Sequence, residues 1–258
     1  MNHTVFGKLK VQFYDEKSDM GHAMAQAVTK CILELLQKKD TINMVFAAAP
    51  SQLQFLRTLA LDEKIPWQKI NAFHMDEYVG LDPEDSRSFA NFLNNNIFDK
   101  LPFKNAYLLN GKNSSLELEC KRYAELLHEN PPDIICMGIG ENAHIAFNDP
   151  HVANFNDPQK VKIVDLDVAC KKQQVNDGCF STVSEVPNYA ITLTIPTLMS
   201  ATYIFCIVPG ASKAEAVYHT LFSSISEDYP ASCLRLHPDA FLFLDGESSN
   251  LVTEAMKK

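Results

Sequence analysis

The chain has 258 residues, of which 46% are hydrophobic and 21% charged, with a formal charge of −9. A chain of this size buries roughly three quarters of its unfolded surface, so it needs no disulfide or metal to hold a core. Its acidic surface repels phosphate backbones and anionic lipid, which excludes nucleic acid and membrane surfaces as bulk partners and asks a local positive site of any anionic ligand.

Strand and helix signals alternate along the chain. "KVQFYD" (10–15) reads as a short strand. Ser18 and Asp19 then offer an N-cap, and Met20, Met24, Val28, Cys31 and Leu35 recur near the helical period, with Lys38 and Lys39 at the negative end. "INMVFAAAP" (42–50) is a continuous apolar run of the kind buried on both faces of a sheet, and Pro50-Ser51 starts a helix after it. "KINAFHMDEYVGL" (69–81) is a strand ending in carboxylates, "SRSFANFLNNNIF" (86–98) is helical and "AYLLNG" (106–111) is strand-like. Ser114 with Glu117 suggests a capping box for a helix over 116–127. "PDIICMGIG" (132–140), "KVKIVDL" (160–166), "YAITLT" (189–194), "TYIFCIVPG" (202–210) and "AFLFLDG" (240–246) are further strands, with a helix over 212–222. No repeat, low-complexity tract or linker interrupts them, so one domain over 1–258 is expected.

Seven cysteines stand at scattered positions, an odd number with no metal-ligand spacing, as in reduced and mostly buried thiols. The opening "MNHTVFGKLKVQF" has no apolar leader core, and no stretch nears the roughly 18 apolar residues of a membrane span. A soluble, cytoplasmic protein is expected.

Strands separated by helices imply a mostly parallel sheet covered on both faces, whose ligands sit outside the carboxyl ends of the strands. Polar groups stand at four such ends. Asp76 and Glu77 read either as solvated loop charges or as a base for proton abstraction beside a carbonyl. His144, with Asn142 and Asp149 to fix its tautomer, reads as a ring fit for acid–base work. Gly138-x-Gly140 lacks the third glycine of a dinucleotide fingerprint but lets the backbone approach a small ligand. Ser51 opens a helix, where a hydroxyl and free N–H groups hold an anion or simply cap. Lys213 stands one turn into a helix, a poor place for a cation unless an anion is near. "CKKQQ" (170–174) is a basic cluster or a surface turn. Together these signals suggest proton transfer on a small phosphorylated substrate.

"FHMDEYVGL" (73–81) and "GIGENAHIAFNDP" (138–150) resemble the two signature segments of the glucosamine-6-phosphate deaminase (isomerase) family, and "FAAAPSQ", "LLNG", "GASKAEAV" and "SCLRLHPDA" follow in order. The resemblance spans nearly the whole chain. It implies a three-layer α/β/α domain of modified Rossmann type and a cofactor-free, deaminating reaction of amino sugar catabolism. In that reaction a hexosamine 6-phosphate is opened, isomerised to a ketose and loses ammonia. Asp76 would move the proton between C2 and C1, and His144 would open the ring, oriented by Asn142 and Asp149. Ser51 and Lys213 would hold the phosphate, with Gln52, Glu77 and Gly138 at the sugar. Gln174 would stand where other members carry a phosphate-binding arginine, with Lys172 nearby. Assembly into homo-oligomers is a common family habit.

Three departures follow. The usual Asp-Gly-His is here Asn142-Ala143-His144, and an amide supports a histidine cation less than a carboxylate does. Asp149 stands where glutamate is usual, one methylene shorter, and is expected to reach the histidine through water. "AAAPSQ" replaces a Gly-Thr-rich phosphate loop. These departures leave galactosamine 6-phosphate open as substrate, and they leave open a 6-phosphogluconolactonase or a non-catalytic sugar-phosphate sensor.

Overall fold

The continuous apolar runs of the sequence are the middle of one large sheet. The computed structural model describes residues 2–257, so Met1 and Lys258, the outer limits of the expected domain, lie outside the described residues. The strands are β1 Asn2–Phe6, β2 Leu9–Phe13, β3 Ile42–Phe46, β4 Ile70–His74, β5 Asp76–Tyr78, β6 Asn105–Tyr107, β7 Ile134–Met137, β8 Val161–Asp165, β9 Tyr189–Leu193, β10 Tyr203–Val208 and β11 Ala240–Leu244. The helices are α1 Lys17–Leu36, α2 Leu53–Ala60, α3 Phe89–Leu93, α4 Leu116–Glu129, α5 Val168–Asn176, α6 Ile195–Met199, α7 Ala214–Phe222 and α8 Asn250–Ala255.

Eight strands form the main sheet in the order β1-β2-β11-β10-β7-β3-β4-β6. Every neighbouring pair is parallel except β1–β2. Alternation along each strand splits the core into two layers, because successive side chains point to opposite faces. Met44 and Phe46 of β3, Cys136 of β7 and Ile207 of β10 share one cluster with Met24, Val28 and Ile32 of α1 and Leu56 and Leu59 of α2. Val45, Ile135 and Cys206, one residue out of step, share the other with Tyr123 of α4, Val217 of α7 and Leu193 of β9. Each such fully buried aliphatic side chain contributes about 1.5–3 kcal/mol relative to exposure. Strands in one layer with helices on both faces give the expected α/β/α architecture in one domain.

Several local expectations are corrected. Residues 2–6, outside every strand expected from the sequence, form β1 of a hairpin that turns through Gly7 at φ +61°. The N-cap of α1 is Glu16 rather than Ser18 or Asp19, and Lys39 leaves the end of that helix to pair with Asp133. Ser115, not Ser114, caps α4, where its hydroxyl accepts from the Leu118 N–H at 3.4 Å. The basic cluster 170–174 is helical, within α5.

The largest correction concerns "MDEY". The chain leaves the main sheet at Met75, and Asp76–Tyr78 becomes the edge of a second, antiparallel sheet ordered β5-β9-β8. The sheet order reverses between β3 and β7: β4 and β6 continue to one side, and β10 and β11 to the other. Loops leaving these two strands diverge, which opens a crevice at their carboxyl ends.

Candidate active site

That crevice holds a cavity of about 320 Å³, within the range of small-molecule sites. Each wall comes from the end of a different strand. Ser51 and Gln52 follow β3, Asp76 follows β4, Gly138 to His144 follow β7, and Lys213 follows β10. Gln174 arrives from α5.

Asp76 is held by its strand. It pairs with Thr192 across β9, and the Leu193 N–H donates to the Met75 carbonyl at 2.8 Å just before it. Burial, then the neighbouring Glu77, push its carboxyl well above the usual carboxylate range. A carboxyl raised by burial binds a proton more tightly than an exposed one, the property wanted of a group that takes up and returns a proton.

Strand alternation sends Glu77 the other way. Its carboxylate accepts from the N–H groups of Tyr78 (2.9 Å), Phe89 (3.1 Å) and Ala90 (2.8 Å), and so ties β5 to the start of α3. Burial pushes it up to about 7 against the opposing pull of those donors. Glu77, expected at the sugar, does not line the cavity and serves as an anchor instead. Lys172 is also outside: it is exposed, while Gln173 and Gln174 on the same helix are buried at the cavity wall.

The loop after β7 closes on itself. The Gly140 N–H donates to the His144 carbonyl at 2.9 Å, and the Ala143 N–H donates to the Gly140 carbonyl at 3.0 Å. This tight circuit places Ala143 at φ +64°, a region costly for any residue with a Cβ. The His144 ring lies flat against Gly140: a Cβ there would meet ring atoms at 2.2–2.4 Å. Gly140 is thus needed for the histidine rather than for the sugar. Gly138 faces the cavity floor, where a Cβ would lie 3.2 Å from Gln52 Nε2.

His144 Nδ1 is 2.6 Å from Asn142 Oδ1 and 2.9 Å from Asp149 Oδ1. Asn142 Nδ2 donates to that same carboxylate oxygen at 2.9 Å. Both atoms facing Nδ1 are acceptors, so Nδ1 carries the proton and Nε2 offers a lone pair. Asp149 therefore reaches the ring directly, which corrects the expectation of a bridging water. Burial pushes Asp149 up, but the His144 ring and its hydrogen bonds to His144, Asn142 and the Cys170 thiol hold it below the usual carboxylate range. Asn142 and Asp149 do not line the cavity. They act on it through His144.

Lys213 is 6% exposed; its backbone N–H donates to the Gly210 carbonyl at 3.1 Å, but no hydrogen bond or ion pair of its ammonium is found among the described residues. Burial lowers its amine, partly offset by the field of Asp177 and Glu141. A buried cation without a partner at a cavity wall is a ready anion site. Gln52, 1% exposed, likewise has an unpartnered Oε1. Sequence reasoning passed over Gln173, Asp177, Lys17 and Ala146, all at the wall. Gln173 is held there by structure: its Oε1 accepts from the Glu141 N–H at 2.7 Å and its Nε2 donates to Asp177 at 3.3 Å. Ala146, at φ +48°, gave no signal in the sequence.

A family model described as glucosamine-6-phosphate isomerases/6-phosphogluconolactonase matches residues 15–242. The chain is 37% identical over 233 residues to a glucosamine-6-phosphate deaminase of Bacillus cereus, covering 90% of this chain and 87% of that one. It has the same identity and coverage with a glucosamine-6-phosphate deaminase of Bacillus anthracis. Among solved structures, a monomeric glucosamine-6-phosphate deaminase superposes with a TM-score of 0.85 at 30% identity, over 93% of this chain and 99% of the other. A 6-phosphogluconolactonase of Thermotoga maritima gives 0.76 at 19% identity, over 92% and 100%, a likeness of fold alone.

Proposed function

The chain belongs to the glucosamine-6-phosphate isomerase/6-phosphogluconolactonase family, and on that premise we propose that it is a glucosamine-6-phosphate deaminase, converting glucosamine 6-phosphate and water to fructose 6-phosphate and ammonia. The observation that carries this reading is the convergence of Asp76, His144 and Lys213, from three strand ends, on one cavity. Lys213 and Ser51 hold the phosphate, and Gln52 and Gln174 face the remaining polar groups of the sugar. His144 Nε2 takes the proton of the anomeric hydroxyl and returns it to the ring oxygen as the ring opens. Asp76 then moves the C2 proton to C1 while a proton of the C2 ammonium passes to O1, giving an iminium at C2. Water adds to that carbon, and ammonia leaves. The carboxylate raised by burial is matched to this task, because it takes a proton from carbon and gives it back in one residence.

Fold and identity favour the deaminase over the lactonase reading, since the lactonase likeness rests on fold and the deaminase likeness on more than a third of the residues. Purified protein given glucosamine 6-phosphate, galactosamine 6-phosphate and 6-phosphogluconolactone side by side tests this directly. Ammonia and fructose 6-phosphate released from the first, faster than turnover of the others, is the expected result. Tight binding of the first without product would make the chain a sensor.

No helix of the described residues is long and apolar enough to cross a membrane. Six of the seven cysteines are buried, and all seven are free thiols. That pattern supports a cytoplasmic setting for the enzyme. Sedimentation of the purified chain decides between a monomer, as in one deaminase relative, and the homo-oligomer expected from the family.

A further inference from the structure

We propose that a thiophilic divalent cation of the zinc class binds beneath the cavity at His144 Nδ1, Asp149 and the Cys170 thiol, and that its binding stops turnover. The ligand atoms of these three residues lie within 4.8 Å of one another, and all three residues are buried. Tetrahedral zinc takes nitrogen, oxygen and sulfur donors at about 2.0–2.3 Å, so small side-chain rotations bring this set onto one ion.

A second observation points to the same place. Asp149 Oδ1 is engaged by Asn142 Nδ2 and the His144 ring, whereas Oδ2 has no N–H or O–H donor among the described residues, and the Cys170 thiol is the weak donor beside this carboxylate. Asp149 is 0% exposed, so a weak thiol donor is a poor replacement for the water that this oxygen loses on burial. It stands beside the buried Cys170 thiol, the soft donor of the set. A dication with one carboxylate and one thiolate is a neutral unit, which a dry pocket tolerates where an isolated charge would not. Thiolate softness selects zinc, cadmium or cobalt over magnesium and calcium. An ion reaches the site past His144, which lines the cavity.

Protons balance without redox change. The Cys170 thiol proton is released to solvent. The Nδ1 proton of His144 passes to Nε2, and the freed Nδ1 lone pair goes to the metal. The imidazole stays neutral, but Nε2 now carries a proton and can no longer accept one. Only the inhibition rests on the deaminase reading, because binding is a property of the three side chains alone.

The test uses the full chain stripped with a chelator and titrated first with Co²⁺, then with Zn²⁺. One Co²⁺ per chain is expected, with a thiolate-to-cobalt charge-transfer band that Zn²⁺ displaces. In Cys170→Ser and Cys170→Ala, with circular dichroism unchanged, the band disappears and both ions bind at least ten-fold more weakly. Zn²⁺ suppresses ammonia release by the parent, EDTA restores it, and the variants resist Zn²⁺ at least ten-fold. A band and affinity that survive both substitutions would place the metal on other cysteines and overturn the proposal, as would no band at all. Full turnover with the site occupied overturns the inhibition. Should the variants fail to fold, cadmium NMR of the parent decides: one resonance for a single-thiolate site supports the proposal, and a multi-thiolate resonance refutes it.

Discussion

Replacing Lys213 by Met separates the anion site from the fold. Lys213 is 6% exposed, its ammonium has no partner among the described residues, and burial already disfavours its charge. The substitution keeps the length of the side chain while removing that charge, so the free protein should be no less stable, and more stable wherever the amine is ionised. The sign follows from linkage. The amine is lowered in the folded state, so between its folded and ordinary values the unfolded chain binds more protons, and parent stability rises with pH there. With substrate the effect reverses. Removing one partner of a buried, hydrogen-bonded charge pair costs about 2–5 kcal/mol. Taking about 3 kcal/mol, KM for glucosamine 6-phosphate rises roughly a hundred-fold. Inorganic phosphate at 100 times its Kd adds about 2.7 kcal/mol to a protein that binds it. For a chain of this size that is a rise in Tm of roughly 5–10 °C. The parent should show this rise in a thermal scan, and Lys213→Met should not. A KM within three-fold of the parent together with an undiminished phosphate shift would refute the assignment.

Asp76→Asn should lower kcat by roughly 10²–10⁴-fold, the usual worth of a positioned base. It should also stabilise the free protein toward urea at pH 8, since the buried carboxyl is raised and its ionised form is disfavoured as pH climbs through the folded value. Turnover near that of the parent would remove Asp76 from the chemistry. Gly140→Ala puts a methyl 2.2–2.4 Å from ring atoms of His144, so kcat should drop at least ten-fold while phosphate still raises Tm. Glu77, raised from 4.5 to about 7, makes parent stability fall by roughly 3 kcal/mol between those pH values at about 1.4 kcal/mol per pH unit. In urea titrations Glu77→Gln should lose about that much less stability than the parent over this range, Asp76 keeping its own contribution, and a loss equal to that of the parent would take the slope away from Glu77. At Ala143, φ +64°, glycine relieves about 1–2 kcal/mol of strain but loses about 0.8 kcal/mol of methyl burial and about 0.5–1 kcal/mol of chain entropy. Ala143→Gly should therefore unfold within about 1 kcal/mol of the parent, whereas Ala143→Val, with a branched side chain at positive φ, should lose more than about 2 kcal/mol.

How much of this was written in the chain follows from the range over which each feature is determined. Strands β3, β7, β10 and β11 were legible because an apolar run between turn residues is a local property, and a strand buried on both faces needs nothing more to declare itself. Asp76, His144, Ser51 and Lys213 could be nominated because polar groups at the ends of such runs fall at the ends of parallel strands wherever those strands pair. The motif resemblance added roles to residues that the pattern had already marked. What depended on pairing was not legible. "MDEY" looked like the end of one strand, and only its ladder with β9 showed a second sheet that turns Asp76 to the cavity and Glu77 away from it. Side-chain length alone suggested that Asp149 falls short of His144, but the fold of the loop brings it to 2.9 Å. Cys170 and Asp149, 21 positions apart in sequence, are neighbours only because α5 packs under that loop. Sequence thus determined which groups stand at strand ends, through local patterns of burial and turning. Tertiary structure decided which of them face one another, because distances between side chains on separate elements are set by strand order and packing that no local stretch encodes.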